Sequence, residues 1–271
     1  RIDSPRLSPD GRQVALALAR PGEQQDIWVL DLVRGTRTAL TTGGANDFAP
    51  LFTPDGRYVI FDSEQPVFDL YIRTVDGSTQ AAPLVVSAFD KEPGAVTRNR
   101  VLLYHHSTLP RHGIWRVPLD GSEQASPLLT SESGDLAQPV LSPDERWLAY
   151  GSNESGSLEI YITAYPDVGR ERRQVSAGGG SQARWTRGGR ELVYRSGQNM
   201  MAVSVDPATG ELGAPTVLFT GDFVDSDVWS FDVTPDGEGF LMLQRPPGSE
   251  LRQIIVVTNW FQELQRLVPR R

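Results

Sequence analysis

Apolar positions along this chain fall in short bursts rather than helical stripes. Val14 to Leu18, Tyr58 to Phe61, Val101 to Tyr104, Trp147 to Tyr150, Glu191 to Tyr194 and Phe240 to Leu243 form one set of runs. A second run follows each: Ile27 to Leu30, Leu70 to Ile72, Ile114 to Val117, Ile160 to Ile162, Met201 to Val203 and Ile254 to Val257. Weaker segments close most units (Arg37 to Leu40, Leu84 to Val86, Leu128-Leu129, Arg173 to Val175, Val217 to Phe219). Others precede them (Pro50 to Phe52, Pro139 to Leu141, Ala183 to Trp185). Runs this short, rich in β-branched and aromatic residues and bounded by Gly, Pro, Asn and Asp, predict strands, four to a unit. Helical repeats need stretches of roughly 10 to 15 residues with 3.6 spacing, and no unit shows one.

A turn motif sets the period. Ser8-Pro9-Asp10-Gly11 returns as Thr53-Pro54-Asp55-Gly56, Ser142-Pro143-Asp144-Glu145 and Thr234-Pro235-Asp236-Gly237, with degenerate copies at Val96 to Asn99 and Thr186 to Gly189. The second residues, 9, 54, 97, 143, 187 and 235, are 45, 43, 46, 44 and 48 apart. Four short antiparallel strands in about 45 residues mark a β-propeller blade. The expected fold is all-β: a six-bladed β-propeller of four-stranded antiparallel blades around a central channel. It is one domain over 1–271, with blades near 1–44, 45–88, 89–133, 134–179, 180–222 and 223–271. Pro fixes φ, Asp bonds the local backbone and Gly supplies a positive φ, so these turns should join the first and second strands of each blade. A calcium loop would need several carboxylates within about 12 residues, and each turn has one.

The ends read differently. After Val257, the apolar positions 260, 261, 264, 267 and 268 suit amphipathic helix better than an outer strand, so the sixth blade is expected to be incomplete. Upstream sequence is expected to supply its missing strand, which makes this chain an excised domain.

Composition narrows the class. Lys plus Arg is 26 against Asp plus Glu 34, a net charge of −8, with a pI near 5.0, which argues against a phosphate-backbone partner. The absence of cysteine removes disulfides and thiolate sites. No apolar run approaches the roughly 20 residues that span a bilayer, and no signal-peptide pattern opens the chain. Gly 26 and Pro 20, in 271 residues, fit a chain built of turns.

Three matching stretches are Pro5 to Leu16 with Asp26 to Asp31, Pro50 to Phe61 with Asp69 to Ile72, and Pro139 to Tyr150 with Glu159 to Ile162. They resemble the repeats of the TolB-like six-bladed propellers. Gly151 to Gly156, Glu159 to Ile162, Tyr165-Pro166, Gln174 to Gly180, Arg190 to Tyr194 and the ending Asn259-Trp260-Phe261 look like the C-terminal propellers of bacterial membrane serine/threonine kinases. That resemblance implies an extracytoplasmic sensor or interaction domain. The chain has no Gly-rich loop, HRD or DFG, so it carries no kinase chemistry itself.

A Gly-x-Ser-x-Gly nucleophile elbow is also absent. His105, His106 and His112 are expected on one connection between second and third strands, exposed or packing. Trp28, Tyr71, Trp115 and Tyr161 recur at equivalent third-strand positions and read as packing residues. The candidate site is the channel mouth, before each first strand: Asp3, Asp47, Asp90, Asp135, Gln182, Asp227 and Trp229. Asn46, Lys91, Glu92 and Ser181 stand beside them. A ring of like charges favours a cation such as calcium or a basic peptide group, with no other cofactor. The plain reading of the same acids is that they cap turns. The expectation is a noncatalytic propeller, monomeric, binding a peptide, protein or small molecule and no nucleic acid. The alternatives are a channel-mouth lyase or hydrolase, and a structural scaffold.

Overall fold

A computed structural model describes residues 2–20, 22–106, 113–224, 228–244 and 253–257. Blade one holds β1 (Ile2–Leu7), β2 (Gln13–Ala19), β3 (Gln25–Asp31) and β4 (Thr36–Ala39). Blade two holds β5 (Asp47–Phe52), β6 (Tyr58–Glu64), β7 (Phe68–Thr74) and β8 (Ala82–Val85). Blade three is β9 (Lys91–Val96), β10 (Val101–His106), β11 (Gly113–Pro118) and β12 (Ser126–Thr130). Blade four is β13 (Leu136–Leu141), β14 (Trp147–Ser152), β15 (Glu159–Ala164) and β16 (Arg173–Gln174). Blade five is β17 (Ser181–Thr186), β18 (Glu191–Ser196), β19 (Asn199–Ser204) and β20 (Thr216–Thr220). A last sheet follows, with β21 (Phe231–Val233), β22 (Phe240–Gln244) and β23 (Gln253–Val257). Strands pair antiparallel in sequence order within each sheet.

The expectation of six blades, the sixth incomplete, is corrected to five four-stranded blades; the unit after them has three strands among the described residues. β1 pairs with β2 inside blade one. The helix expected over 259–268 lies outside the described residues.

Second strands read as unbroken apolar runs because both of their faces are buried. Along β2, Ala15 and Ala17 pack with Phe52, Val59 and Phe61 of blade two, while Val14 and Leu16 face the other way, onto Leu241 of the last sheet. The same alternation sends Leu102 and Tyr104 towards blade two and Leu103 towards blade four. Hydrophobic wedges between successive sheets thus make up the core, and the wedge at Leu241 closes the ring.

The turns behave as their chemistry requires. In blade two, Thr53 Oγ1 donates to Asp55 Oδ1 at 2.5 Å, and the same hydroxyl accepts the Tyr58 N–H at 3.1 Å. Ser8, Ser142 and Thr234 repeat the hydroxyl-to-Asp bond. Gly56 takes φ 67° after that Asp, a conformation open to glycine at little cost. These Asp residues are structural.

First strands touch one another in succession around the axis. Most carry a bulge, at Asp3/Arg6, Phe48/Leu51, Ala137/Val140 and Ser181/Arg184. At the bulges Ser4, Ala49, Gln138 and Gln182 adopt positive φ. Hydrogen bonds pass between blades there. Gln182 N–H donates to Gln138 Oε1 at 2.9 Å, Ser230 N–H donates to Gln182 Oε1 at 2.8 Å, and Ser4 N–H donates to Trp229 O at 3.0 Å.

Candidate functional site: charged groups on the propeller axis

Each first strand places one residue two positions before its Ser or Thr turn. In blades two, three and four it is apolar: Leu51, Ala95 and Val140. In blade five, the last sheet and blade one, which adjoin, it is Arg184, Asp232 and Arg6. Arg184 Nε donates to Asp232 Oδ1 at 3.2 Å. Arg6 Nη1 stands 3.9 Å from the same oxygen, and Leu7 N–H donates to Asp232 Oδ2 at 2.8 Å. Both cations lie against Trp229, which is fully buried. The Arg184 and Arg6 guanidinium carbons sit 3.2 Å and 4.2 Å from the centre of its ring, within cation–π range.

Blade three supplies the other side. Glu92 Oε2 is 3.8 Å from His105 Nε2. Burial pushes the Glu92 carboxyl up to about 7, although the Arg6 charge and the Trp229 indole pull it down. Burial, with His106 beside it, holds His105 down to about 4, so the ring is neutral at pH 7 and the contact is no charged pair. Asp62 is raised well above the usual carboxylate range by burial and then by Glu92. Burial likewise lowers Arg6, opposed by Asp232 and Glu92; a guanidinium keeps its charge regardless.

The cluster has hydrogen-bonding capacity left over. Among the described residues, the buried atoms Arg6 Nε, Arg184 Nη2, Glu92 Oε1 and Asp62 Oδ1 have no hydrogen-bond partner. Leaving such an atom unsatisfied costs about 1–3 kcal/mol, more when the group is charged, so each orphan asks for a partner from solvent or ligand. Asp232 and Glu92 side chains retain 14% exposure, so solvent reaches the cluster.

The residues expected at the channel mouth take several places. Gln182 and Trp229 come together at the axis, through Ser230 and the arginines. Asp3 is fully buried and accepts from Gln25 Nε2 at 3.0 Å within its own blade. Asp47, raised by burial, lines a cavity of about 340 Å³ with Thr41, Ser63 and Arg73. Asp90 accepts the Phe68 N–H at 3.0 Å, and Asp135 accepts from Asn153 Nδ2 at 2.9 Å. Asp227 lies outside the described residues. Among the described residues no three His, Asp or Glu side chains gather closely enough to hold a metal ion.

His105 and His106 are corrected from the connection onto strand β10, where both are buried; His106 stacks on Trp115 at 4.9 Å. His112 lies outside the described residues. Reading the loop before each first strand misses Arg6 and Arg184, which lie beyond the bulges of β1 and β17, and Asp232, which lies within β21. Their signal is a charge, in three repeats, at a strand position that is apolar in the other three.

This architecture is a β-propeller. Residues 2–126 match the PD40 family, the TolB beta propeller domain. By sequence the chain is 26% identical over 156 residues to "Uncharacterized peptidase YuxL" of Bacillus subtilis (strain 168), a match covering 56% of this chain and 22% of that protein. The chain thus spans about a fifth of the length of that curated relative. By structure it is similar to TolB from Acinetobacter baumannii, with a TM-score of 0.71 and 16% identity, over 93% of this chain and 63% of that one. Puromycin hydrolase gives 0.64 at 18% identity, over 90% of this chain and 43% of that one. An oligogalacturonate lyase in complex with manganese gives 0.59 at 15%, over 93% and 87%.

The sequence likeness to a peptidase overturns the expectation of a noncatalytic domain, while the likenesses to puromycin hydrolase and the oligogalacturonate lyase show the fold alone. None of them supports the kinase-sensor role. No helix among the described residues is long and apolar enough to cross a membrane.

Proposed function

We propose that this propeller works in an enzyme that cleaves its substrate, a hydrolase of the peptidase kind or a lyase, and that the substrate meets the protein at the axis. One observation carries the reading: ionisable groups of both signs from blades one, three and five and the last sheet converge there with buried hydrogen-bonding atoms unused. Perturbed ionisable groups held together in a cleft are the usual mark of a functional site. A carboxyl at about 7 is also matched to proton transfer near neutral pH. The peptidase relative supports the hydrolase class, and the lyase fold supports the second.

The test uses the complete reading frame that contains this chain, assayed on a peptide library and on acidic oligosaccharides. The reading expects cleavage of one class, with kcat/KM lowered at least ~10-fold in Arg184→Gln, the loss of about one transition-state contact. Cleavage of neither class, or unchanged kcat/KM in that variant, contradicts it.

A further inference from the structure

Two buried guanidiniums share one carboxylate. Asp232 balances one positive charge of the Arg6–Arg184 pair, and the second stays uncompensated while Glu92 carries its proton. Among the described residues, both cations keep an unused N–H, Arg6 Nε and Arg184 Nη2. Both also sit against the Trp229 ring, at 4.2 Å and 3.2 Å from its centre. A residual charge of one and two N–H donors from two planar forks suit a singly charged planar anion better than a phosphate dianion. We propose that the axis of the propeller is a carboxylate-binding site, in which Arg6 and Arg184 hold the ligand's carboxylate and Glu92 faces it from blade three.

Glu92 sets when the site is open. The groups facing it are Arg6 from β1, Asp62 from β6, His105 from β10 and Trp229 before β21. His105 is neutral, and Asp62 is itself raised well above the usual carboxylate range by burial and then by Glu92. When Glu92 ionises, the remaining positive charge is cancelled and a carboxylate is repelled. Binding therefore takes up a proton at Glu92 and weakens as pH rises through about 7. The inference shares its residues with the enzymatic reading but requires only binding. Binding without cleavage would leave it standing while that reading falls.

The experiment is isothermal titration of the chain with N-acetylglycylglycine, its C-terminal amide, galacturonate and inorganic phosphate, at pH 6 and pH 8. Glu92 passes from about nine-tenths to about one-tenth protonated over that interval, so carboxylate Kd should rise roughly 10-fold. Both carboxylates are tested because the group can come from a peptide end or a uronic acid, and the tighter binder identifies the source. The amide and phosphate should bind at least ~10-fold more weakly at pH 6. Glu92→Gln, a neutral stand-in for the protonated acid, should bind the carboxylate equally at both pH values, and Arg184→Gln should lose binding at both. Equal binding of acid and amide, no binding of either carboxylate, or a pH dependence that survives in a folded Glu92→Gln would each overturn the proposal. The acid-against-amide comparison needs no variant, so it decides even where a substitution prevents folding.

Discussion

Glu92 and His105 lie 3.8 Å apart and respond to pH in opposite senses. The folded pKa of Glu92 is raised to about 7, so its contribution to stability is complete below about 4.5 and lost as pH climbs through 7. Asp62, also raised, acts in the same direction. His105, held down to about 4, contributes stability above about 6.5 that is lost as pH falls towards 4. Replacing Glu92 with Gln should therefore raise the melting midpoint more at pH 8 than at pH 5. The difference should be on the order of 2–3 kcal/mol, from about 1.4 kcal/mol per pKa unit. Melting curves of both proteins at the two pH values check this, and an equal change at both would show that Glu92 is not held against its ionisation.

At the scale of elements, the first strands carry both the seams between blades and the functional groups. Gly94 on β9 is packed so closely that a Cβ there would meet Pro139 Cγ and Pro139 O of β13 at 2.5 Å. Gly94→Ala should cost about 1–3 kcal/mol by overpacking, and at about 2–4 °C per kcal/mol for a domain of this size it should lower the midpoint visibly. An unchanged midpoint would mean that β9 and β13 do not meet so closely. The strands themselves are legible in the sequence because blades bury both faces of β2, β6, β10, β14 and β18, which leaves uninterrupted apolar runs. Four of the six turns are legible because they share the same hydroxyl, Pro and Asp, whereas those at Thr97 and Thr186 keep only the hydroxyl. Much less of the site is legible. Asp3, Asp90 and Asp135 stand out in the loops, yet their carboxylates bond Gln25, Phe68 and Asn153. Arg6, Arg184 and Asp232 sit inside strands, and only the bulge and the closed ring bring them together.

For the whole molecule, closure is what makes a site. Blade one and the last sheet meet through Leu241 packed on Val14 and Leu16, and through the Leu7 N–H on Asp232. Arg6 reaches Asp232 across that seam, and Arg184 reaches it from blade five. A propeller of five four-stranded blades and a three-stranded sheet thus holds opposite charges on its axis at distances that no single blade can set. The central claim is that ligand meets these axial groups and not the acids of the loops. Its most direct measurement is an NMR titration of the arginine side-chain Nε–Hε signals with N-acetylglycylglycine at pH 6. The account predicts that the Arg6 and Arg184 signals shift together and saturate, while those of Arg12, Arg57 and Arg146, near the turns, stay fixed. Saturable shifts confined to other arginines, or none at all, would contradict it.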